Sequence, residues 1–384
     1  MLALAHKARP PFSSWAGPRN PKTLILGEAF GEYEDQMKSP FVWESGKELW
    51  RMLGEAWPSI APDEHHRVSQ LLHHDLAWVR HREDWLHEAS LAFTNTLNLR
   101  PPANKIPDLC IPRADLPPSY TYPPLTNPAR YLHPQYLPEL DRLQSEITQS
   151  NPNLIIAMGN TACWATLSSI KISSIRGAIA PSTLGPWKVL PTYHPASVLY
   201  QWSWRAIVIA DLMKALHESQ FPEIRRPHRL ILINPTYEEL YEWTQKTLAD
   251  APSLLSLDTE TEQGQIKCIS FAVEPHTAVS IPFKGPSGDS YWKTTEQETQ
   301  VWLLVKALVE SPIPKLFQNG IYDLQYLNKM GFRTRNVLED TMLLHHSLYP
   351  EVQKGLGFLG SVYTNELAWK LMRRHKPDTE KRDE

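Results

Sequence analysis

The chain has 384 residues, 42% of them hydrophobic and 21% charged, a balance that excludes a disordered chain and allows two domains. The formal net charge is −3, so any nucleic-acid site must be a local patch and not a basic field over the whole protein. Cys110, Cys163 and Cys268 lie far apart, which excludes a disulfide framework or a metal ribbon and suits a reducing compartment. The first residues lack the apolar region of a secretory signal, and no apolar run approaches the ~20 residues of a membrane span. A cytoplasmic protein without membrane contact is expected.

Residues 23–26 (TLIL) form a short apolar run ending at Gly27. Such runs, closed by glycine and followed by a helix, signal buried parallel strands. The pattern recurs at 91–95 (LAFTN), 154–159 (LIIAMG) and 188–191 (KVLP). Residues 106–138 are crowded with proline and read as a long extended loop, because proline fits neither a helix interior nor a central strand. Four short strands separated by helical stretches predict a three-layer α/β domain, whose ligands bind at the carboxyl ends of the strands. Those ends are followed by Glu28, Phe41, Asn95 and His194. Together they suit a flat heterocycle: an aromatic stacks on its face, an amide reads its edge, and a histidine meets charge on a ring oxygen. Taken singly, each has an ordinary structural role, such as a carboxylate at a helix start.

The ordered segments are GEAFGEYED (27–35), PF (40–41), TNTLNLRPPANK (94–105), AMGNTA (157–162), RG (176–177) and TYHPAS (192–197). This series resembles the uracil-DNA glycosylase superfamily, nearest its thermophile-type (family 4) branch, over roughly residues 20–217. The resemblance implies that Phe41 stacks on a flipped base and Asn95 reads its Watson–Crick edge. Glu28, in the turn opened by Gly27, positions water. His194 donates to the base oxygen. Pro195, Arg100 and Arg176 meet the DNA backbone. The chain departs from the family in four places: Phe30 stands for a proline, Leu99 for the cysteine of C-R-P-P and Ala196 for a serine, and the N-terminal pair of cysteines is absent. Four thiolates are needed for an iron–sulfur cluster, so no cluster is expected and aromatic packing must brace the proline-rich loop. The same departures leave open a glycosylase for a modified pyrimidine.

Residues 221–235 carry three prolines and a basic cluster, and the domain boundary is placed there. Beyond it, 253–258 (SLLSLD) reads as a strand whose alternation sets Asp258 and Glu260 on one face. Residues 265–273 and 277–283 extend it as an antiparallel meander. Asn319 and Asp323, four apart, are expected on one helical edge. D-T-E, N-G-I-Y-D and E-D-T-M in this order resemble the 3′–5′ exonuclease domain of family A DNA polymerases, over roughly residues 230–370. The resemblance implies a ribonuclease H-like mixed sheet, with Asp258, Glu260 and Asp323 binding Mg²⁺ or Mn²⁺. The family's fourth aspartate is not found. Asp340 matches another family position, Tyr363 is followed four residues on by Leu367, and Asp378 and Asp383 sit in a charged tail.

The expected organisation is therefore a glycosylase-like domain over 1–225, an exonuclease-like domain over 226–370, incomplete at its C-terminus, and a tail over 371–384. The expected function is DNA repair or replication, as the front part of a split family A polymerase in a phage-type arrangement. DNA would be the substrate, and a separate polymerase chain would supply the missing carboxylate. A non-catalytic DNA-binding or polymerase-docking subunit is the alternative.

Overall fold

The computed structural model describes residues 6–60, 77–285 and 287–366. The expected tail lies outside these residues. Two compact units emerge: Met1–Arg225 joined by the stretch from Gly357, and Arg226–Leu356.

The first unit contains β1 (Thr23–Ala29), β2 (Leu91–Leu97), β3 (Cys110–Ile111), β4 (Tyr131–Leu132), β5 (Leu154–Met158), β6 (Ala180–Pro181) and β7 (Lys188–Thr192). Its helices are α1 (Glu32–Met37), α2 (Glu44–Ala56), α3 (Ala77–Ala89), α4 (Leu137–Ser150), α5 (Gly159–Leu167), α6 (Ile172–Ile175), α7 (Pro195–Tyr200) and α8 (Arg205–Glu218). The main sheet has the order β2-β1-β5-β7-β6, parallel except for β6. β2, β5 and β7 are buried throughout. That is why their apolar residues run consecutively, over 91–93, 154–158 and 189–191, and do not alternate.

Leu24, Leu26, Ile155 and Val189 face Leu143 and Ile147 of α4 and the start of α5. Alternation turns Ile25, Ile156 and Leu190 to the opposite face, where α2 and α8 complete three layers. Full burial of each such side chain contributes about 1.5–3 kcal/mol. From β1 the chain passes to β2 on one side and comes back as β5 on the other. The carboxyl ends of β1 and β5 therefore flank the switch point of the sheet, where α/β folds bind ligands.

The proline-rich stretch is neither helix nor central strand. It is pinned by the β3–β4 pair and by packing of Leu109, Leu125 and Leu132 on Trp164 and Leu97. Trp164 Nε1 donates to Pro123 O at 3.0 Å, and the Tyr120 hydroxyl donates to Leu132 O at 2.9 Å. The Cys110 thiol in this cluster is pushed up to about 11 by burial. The stretch from Gly357 is also held by side-chain donors. Lys214 Nζ donates to Ser361 O at 2.6 Å and to Thr364 O at 2.5 Å.

The second unit contains β8 (Leu230–Ile233), α9 (Tyr237–Asp250), β9 (Leu255–Glu262), β10 (Gln265–Glu274), β11 (Thr277–Pro282), α10 (Thr295–Val309), β12 (Lys315–Phe317), α11 (Ile321–Lys329), β13 (Val337–Asp340) and α12 (Thr341–Leu348). Its mixed sheet runs β13-β12-β9-β10-β11-β8, and the β9–β10–β11 meander is antiparallel as its alternation predicts. β8 lies inside the stretch read only as a break, and it pairs in parallel with β11 as an edge strand. Pro227 and Pro235 flank β8 without entering it, as an edge strand permits. Leu257, Ile269 and Phe271 build the core with Leu240 of α9 and Val301 and Val305 of α10.

Trp164→Ala should destabilise the first unit by about 3–5 kcal/mol, the usual cost of emptying a buried aromatic position. Urea denaturation reads the loss. Limited proteolysis should then cut first within residues 112–130, which lose their anchor on the indole.

Candidate active site

The carboxyl ends of β1, β2, β5 and β7 bring the scattered polar groups of the first unit together. Gly27 and Asn95 are register partners across β1 and β2. A Cβ placed on Gly27 would stand 2.0 Å from Asn95 Oδ1 and 2.9 Å from the tip of the Phe41 ring. The absent side chain is thus the space in which the amide and the ring meet. The same holds one strand over. Gly159 has φ +87°, and a Cβ there would stand 2.6 Å from Glu28 Oε1 and 3.2 Å from His194 Cβ. The Phe41 and His194 rings lie 5.9 Å apart at 25°. The structure therefore gathers Gly27, Glu28, Phe41, Asn95 and His194 into one place.

Each group is held at a defined angle. Glu28 Oε1 accepts from Thr161 N–H at 3.3 Å, at the N-terminus of α5, where the helix dipole favours an anion. His194 caps α7, its Nδ1 accepting from Ala196 N–H at 3.2 Å. With Nδ1 used as acceptor, the ring N–H is at Nε2. Asn95 is 2% exposed, and its Nδ2 has no hydrogen-bond partner. A buried unpaired amide donor is costly unless a ligand or water takes it.

Phe41 has φ +55°, a left-handed conformation rare for a bulky residue. Two contacts impose it. Glu34 Oε1 accepts from Phe41 N–H at 2.5 Å while its Oε2 accepts from Gly31 N–H at 2.8 Å. Gly46 leaves room for the Phe41 carbonyl, 2.0 Å from where a Cβ would be. Behind it the Phe41 ring meets Phe93 edge-on at 5.4 Å. Burial raises the Glu34 pKa above the ordinary glutamate value, against the lowering effect of those two N–H donors. Sequence reasoning assigned no role to Glu34. The available signal was an acid in the first turn of a predicted helix, seven residues before the aromatic that it holds.

The expected backbone contacts divide. Arg100 is at the surface, its guanidinium shared by Asn104 at 2.8 Å and Glu32 at 3.4 Å. Arg176 is a correction. It is 1% exposed, paired with Asp211 at 2.5 Å and bonded to Ser361 Oγ at 3.0 Å, so it has no free edge for a phosphate. Pro195 is also buried, because it occupies the first turn of α7. The exposed apolar edge beside the site comes later, at Leu199, Tyr200 (92% exposed) and Trp202.

In the second unit, Asp258 and Glu260 share the exposed face of β9. Asp323 is 3% exposed and turned onto the residue between them. Its Oδ1 accepts from Thr259 N–H at 2.8 Å and from Thr259 Oγ1 at 2.6 Å. Burial raises its pKa, and the Asp340 charge adds to the rise. Asn319 does not share a helical edge with Asp323. It sits in a left-handed turn before α11, where Asp340 accepts from its N–H at 3.1 Å and from Gly320 N–H at 2.7 Å. Oxygen donors of this type suit Mg²⁺ or Mn²⁺. Yet among the described residues no three His, Cys, Asp or Glu side chains are grouped to hold a metal ion. The three carboxylates expected as ligands do not form such a group there, and Asp323 Oδ1 accepts from Thr259.

A family model described as the uracil DNA glycosylase superfamily matches residues 15–216, and one described as 3′-5′ exonuclease matches residues 233–376. The type-4 uracil-DNA glycosylase of Thermotoga maritima is 25% identical over 203 residues, covering 52% of this chain and 78% of that protein. Among solved structures, RNase D of Escherichia coli is 18% identical with a TM-score of 0.28, covering 38% of this chain and 36% of that one. The EXD2 exonuclease domain soaked in Mn and GMP is 17% identical with a TM-score of 0.24, covering 40% and 79%. This chain thus spans about a third of the length of RNase D.

Because the pKa of Glu34 is raised on folding, the folded chain holds its proton more tightly than the unfolded chain. Its contribution to stability is present below the ordinary glutamate pKa and declines as pH rises through the raised value. Denaturation at a series of pH values should show this decline in the wild type and not in Glu34→Gln. Equal slopes would mean that Glu34 is not buried as described.

Proposed function

Because the chain belongs to the uracil DNA glycosylase superfamily, we propose that its first unit hydrolyses the N-glycosidic bond of uracil in DNA. The observation that carries this reading is the convergence of Asn95, Phe41, Glu28 and His194 around Gly27 and Gly159, with Asn95 Nδ2 buried and unpaired. A flipped base takes its place against the Phe41 ring. Asn95 donates through Nδ2 to the uracil oxygen at C4, and Oδ1 accepts from N3–H. Cytosine offers the reverse pattern there and leaves a buried amide unpaired.

As the C1′–N1 bond breaks, its electron pair passes to the base and charge gathers on the oxygen at C2. His194 donates to that oxygen through Nε2–H, where a fixed donor favours the transition state over the ground state. The sugar acquires cationic character, which the Glu28 carboxylate stabilises. Water adds to C1′ and gives its proton to Glu28. The uracil anion then takes up a proton from solvent and Glu28 gives its proton back to solvent, so that the products are free uracil and an abasic site. Tyr200 and its neighbours supply an apolar wedge that enters the base stack as the nucleotide leaves it.

For the second unit we propose a role in holding nucleic acid without nuclease chemistry of its own, because Asp258 and Glu260 face outward on β9 while Asp323 is turned onto Thr259. A polymerase chain that completes the site remains a partner for trial only where mixing restores nuclease activity.

A uracil-containing single strand incubated with the chain and treated with alkali should break at the uracil. Asn95→Ala and His194→Ala should each slow release by roughly 10²–10³, the usual effect of removing one such donor. Intact DNA with retained binding would replace the enzymatic reading by a binding one. In a separate assay, a labelled primer with Mg²⁺ or Mn²⁺ should stay undigested by the chain alone. Rapid digestion that disappears in Asp258→Asn would overturn the non-catalytic reading of the second unit.

A further inference from the structure

β2, which carries Asn95, is the edge strand of its sheet. On its outer side, residues 16 and 93 exchange two backbone bonds, Ala16 N–H to Phe93 O at 3.1 Å and Phe93 N–H to Ala16 O at 2.8 Å. Past Phe93 the partner is a side chain. Arg142 Nη2 donates to Asn95 O at 2.7 Å and to Thr96 O at 3.0 Å. Its Nη1 donates to Glu146 Oε2 at 2.6 Å and its Nε to Glu139 Oε2 at 3.0 Å. Those two carboxylates reach the same strand. Glu146 accepts from Thr94 Oγ1 at 2.9 Å, and Glu139 accepts from Asn98 N–H at 2.8 Å. Residues 94, 95, 96 and 98 are thus all tied to one face of α4, by side chains at positions i, i+3 and i+7.

All three charged side chains are buried, with Glu139 and Glu146 at 0% exposure. Buried ion networks are often replaceable by apolar side chains with no loss of stability, so stability alone does not account for this one. Its effect is geometric. The Arg142 fork spans two successive carbonyls and two carboxylates at once, which a point charge cannot do. Two residues tied down by this network, Asn95 and Asn98, are buried with a side-chain amide donor that has no protein partner, and Asn95 is the one that stands with Phe41 at Gly27.

We propose that Glu139, Arg142 and Glu146 form a positioning element that fixes the angle of the Asn95 amide and so sets which pyrimidine edge the site accepts. Arg142 does not touch the base; it acts through the backbone of Asn95. The inference rests on the base-excision reading and deepens it to specificity.

The test uses the full chain and two oligonucleotides carrying 2′-fluorinated deoxyuridine or deoxycytidine, whose fluorine disfavours a cationic sugar and so keeps the base attached. Arg142→Lys keeps the positive charge and loses the fork. Its preference for the uracil probe should fall at least about tenfold, the equivalent of about 1.4 kcal/mol in binding. Leu212→Ala, in the core on α8, is the control: it should lower the melting temperature and leave the preference unchanged. Should Arg142→Lys not fold, Glu146→Gln, which keeps an acceptor for Thr94 and weakens the anchor of Arg142, should show a smaller loss of the same sign. A wild-type preference that survives either folded variant, or falls equally in Leu212→Ala, overturns the inference alone. A wild type that neither prefers the uracil probe nor releases uracil removes the base-excision reading and this inference together.

Discussion

The site depends on two side chains that are absent. At the carboxyl ends of β1 and β5, Gly27 and Gly159 leave space that Asn95, Phe41, Glu28 and His194 occupy. A methyl group would stand 2.0 Å from Asn95 Oδ1 at Gly27 and 2.6 Å from Glu28 Oε1 at Gly159, in both cases inside ordinary contact. Gly159 is doubly constrained, since its φ of +87° is one that L side chains rarely adopt. Every other feature of the site presumes that space: the register pairing Gly27 with Asn95, the helix start that receives Glu28, and the cap that orients His194.

Around this space the molecule uses buried charge as a fixing device. Glu34 holds the backbone of Phe41 in a left-handed turn, and Arg142 holds the backbone of Asn95. Arg176 with Asp211, and Lys188 with Glu218, tie α8 to the strand and loop beside it. Such pairs are expensive to bury and expensive to break, because removal of one partner leaves the other uncompensated. They confer definite geometry more than net stability. This suits a site whose discrimination depends on donors held at fixed angles.

The two units differ in how completely their polar groups converge. In the first, five expected residues meet. In the second, Asp258 and Glu260 face outward on β9 while Asp323 Oδ1 accepts from Thr259, and no metal-holding group of three side chains is found among the described residues. Asp340 serves the local backbone, accepting from Asn319 and Gly320 and capping α12. Carboxylates near one another in a fold are not thereby ligands; what each one accepts decides it.

The sequence by itself determined most of the strands, because strands buried on both faces carry consecutive apolar residues and half-buried ones alternate, and it determined the order of the motifs at their ends. It also marked Glu28, Phe41, Asn95 and His194 as candidates, since each is a polar or aromatic group at or after the apolar run of a strand. It did not mark the role of Glu34, the burial of Arg176 or the edge strand β8. An arginine in a polar-looking R-G pair looks the same whether it meets phosphate or Asp211. Only the tertiary structure decided these, because partner choice for a charged side chain is a long-range matter: Arg176 is 35 residues from Asp211, and Arg142 is 47 from Asn95. Local periodicity reports which face is buried, and it carries no information about which distant group waits there.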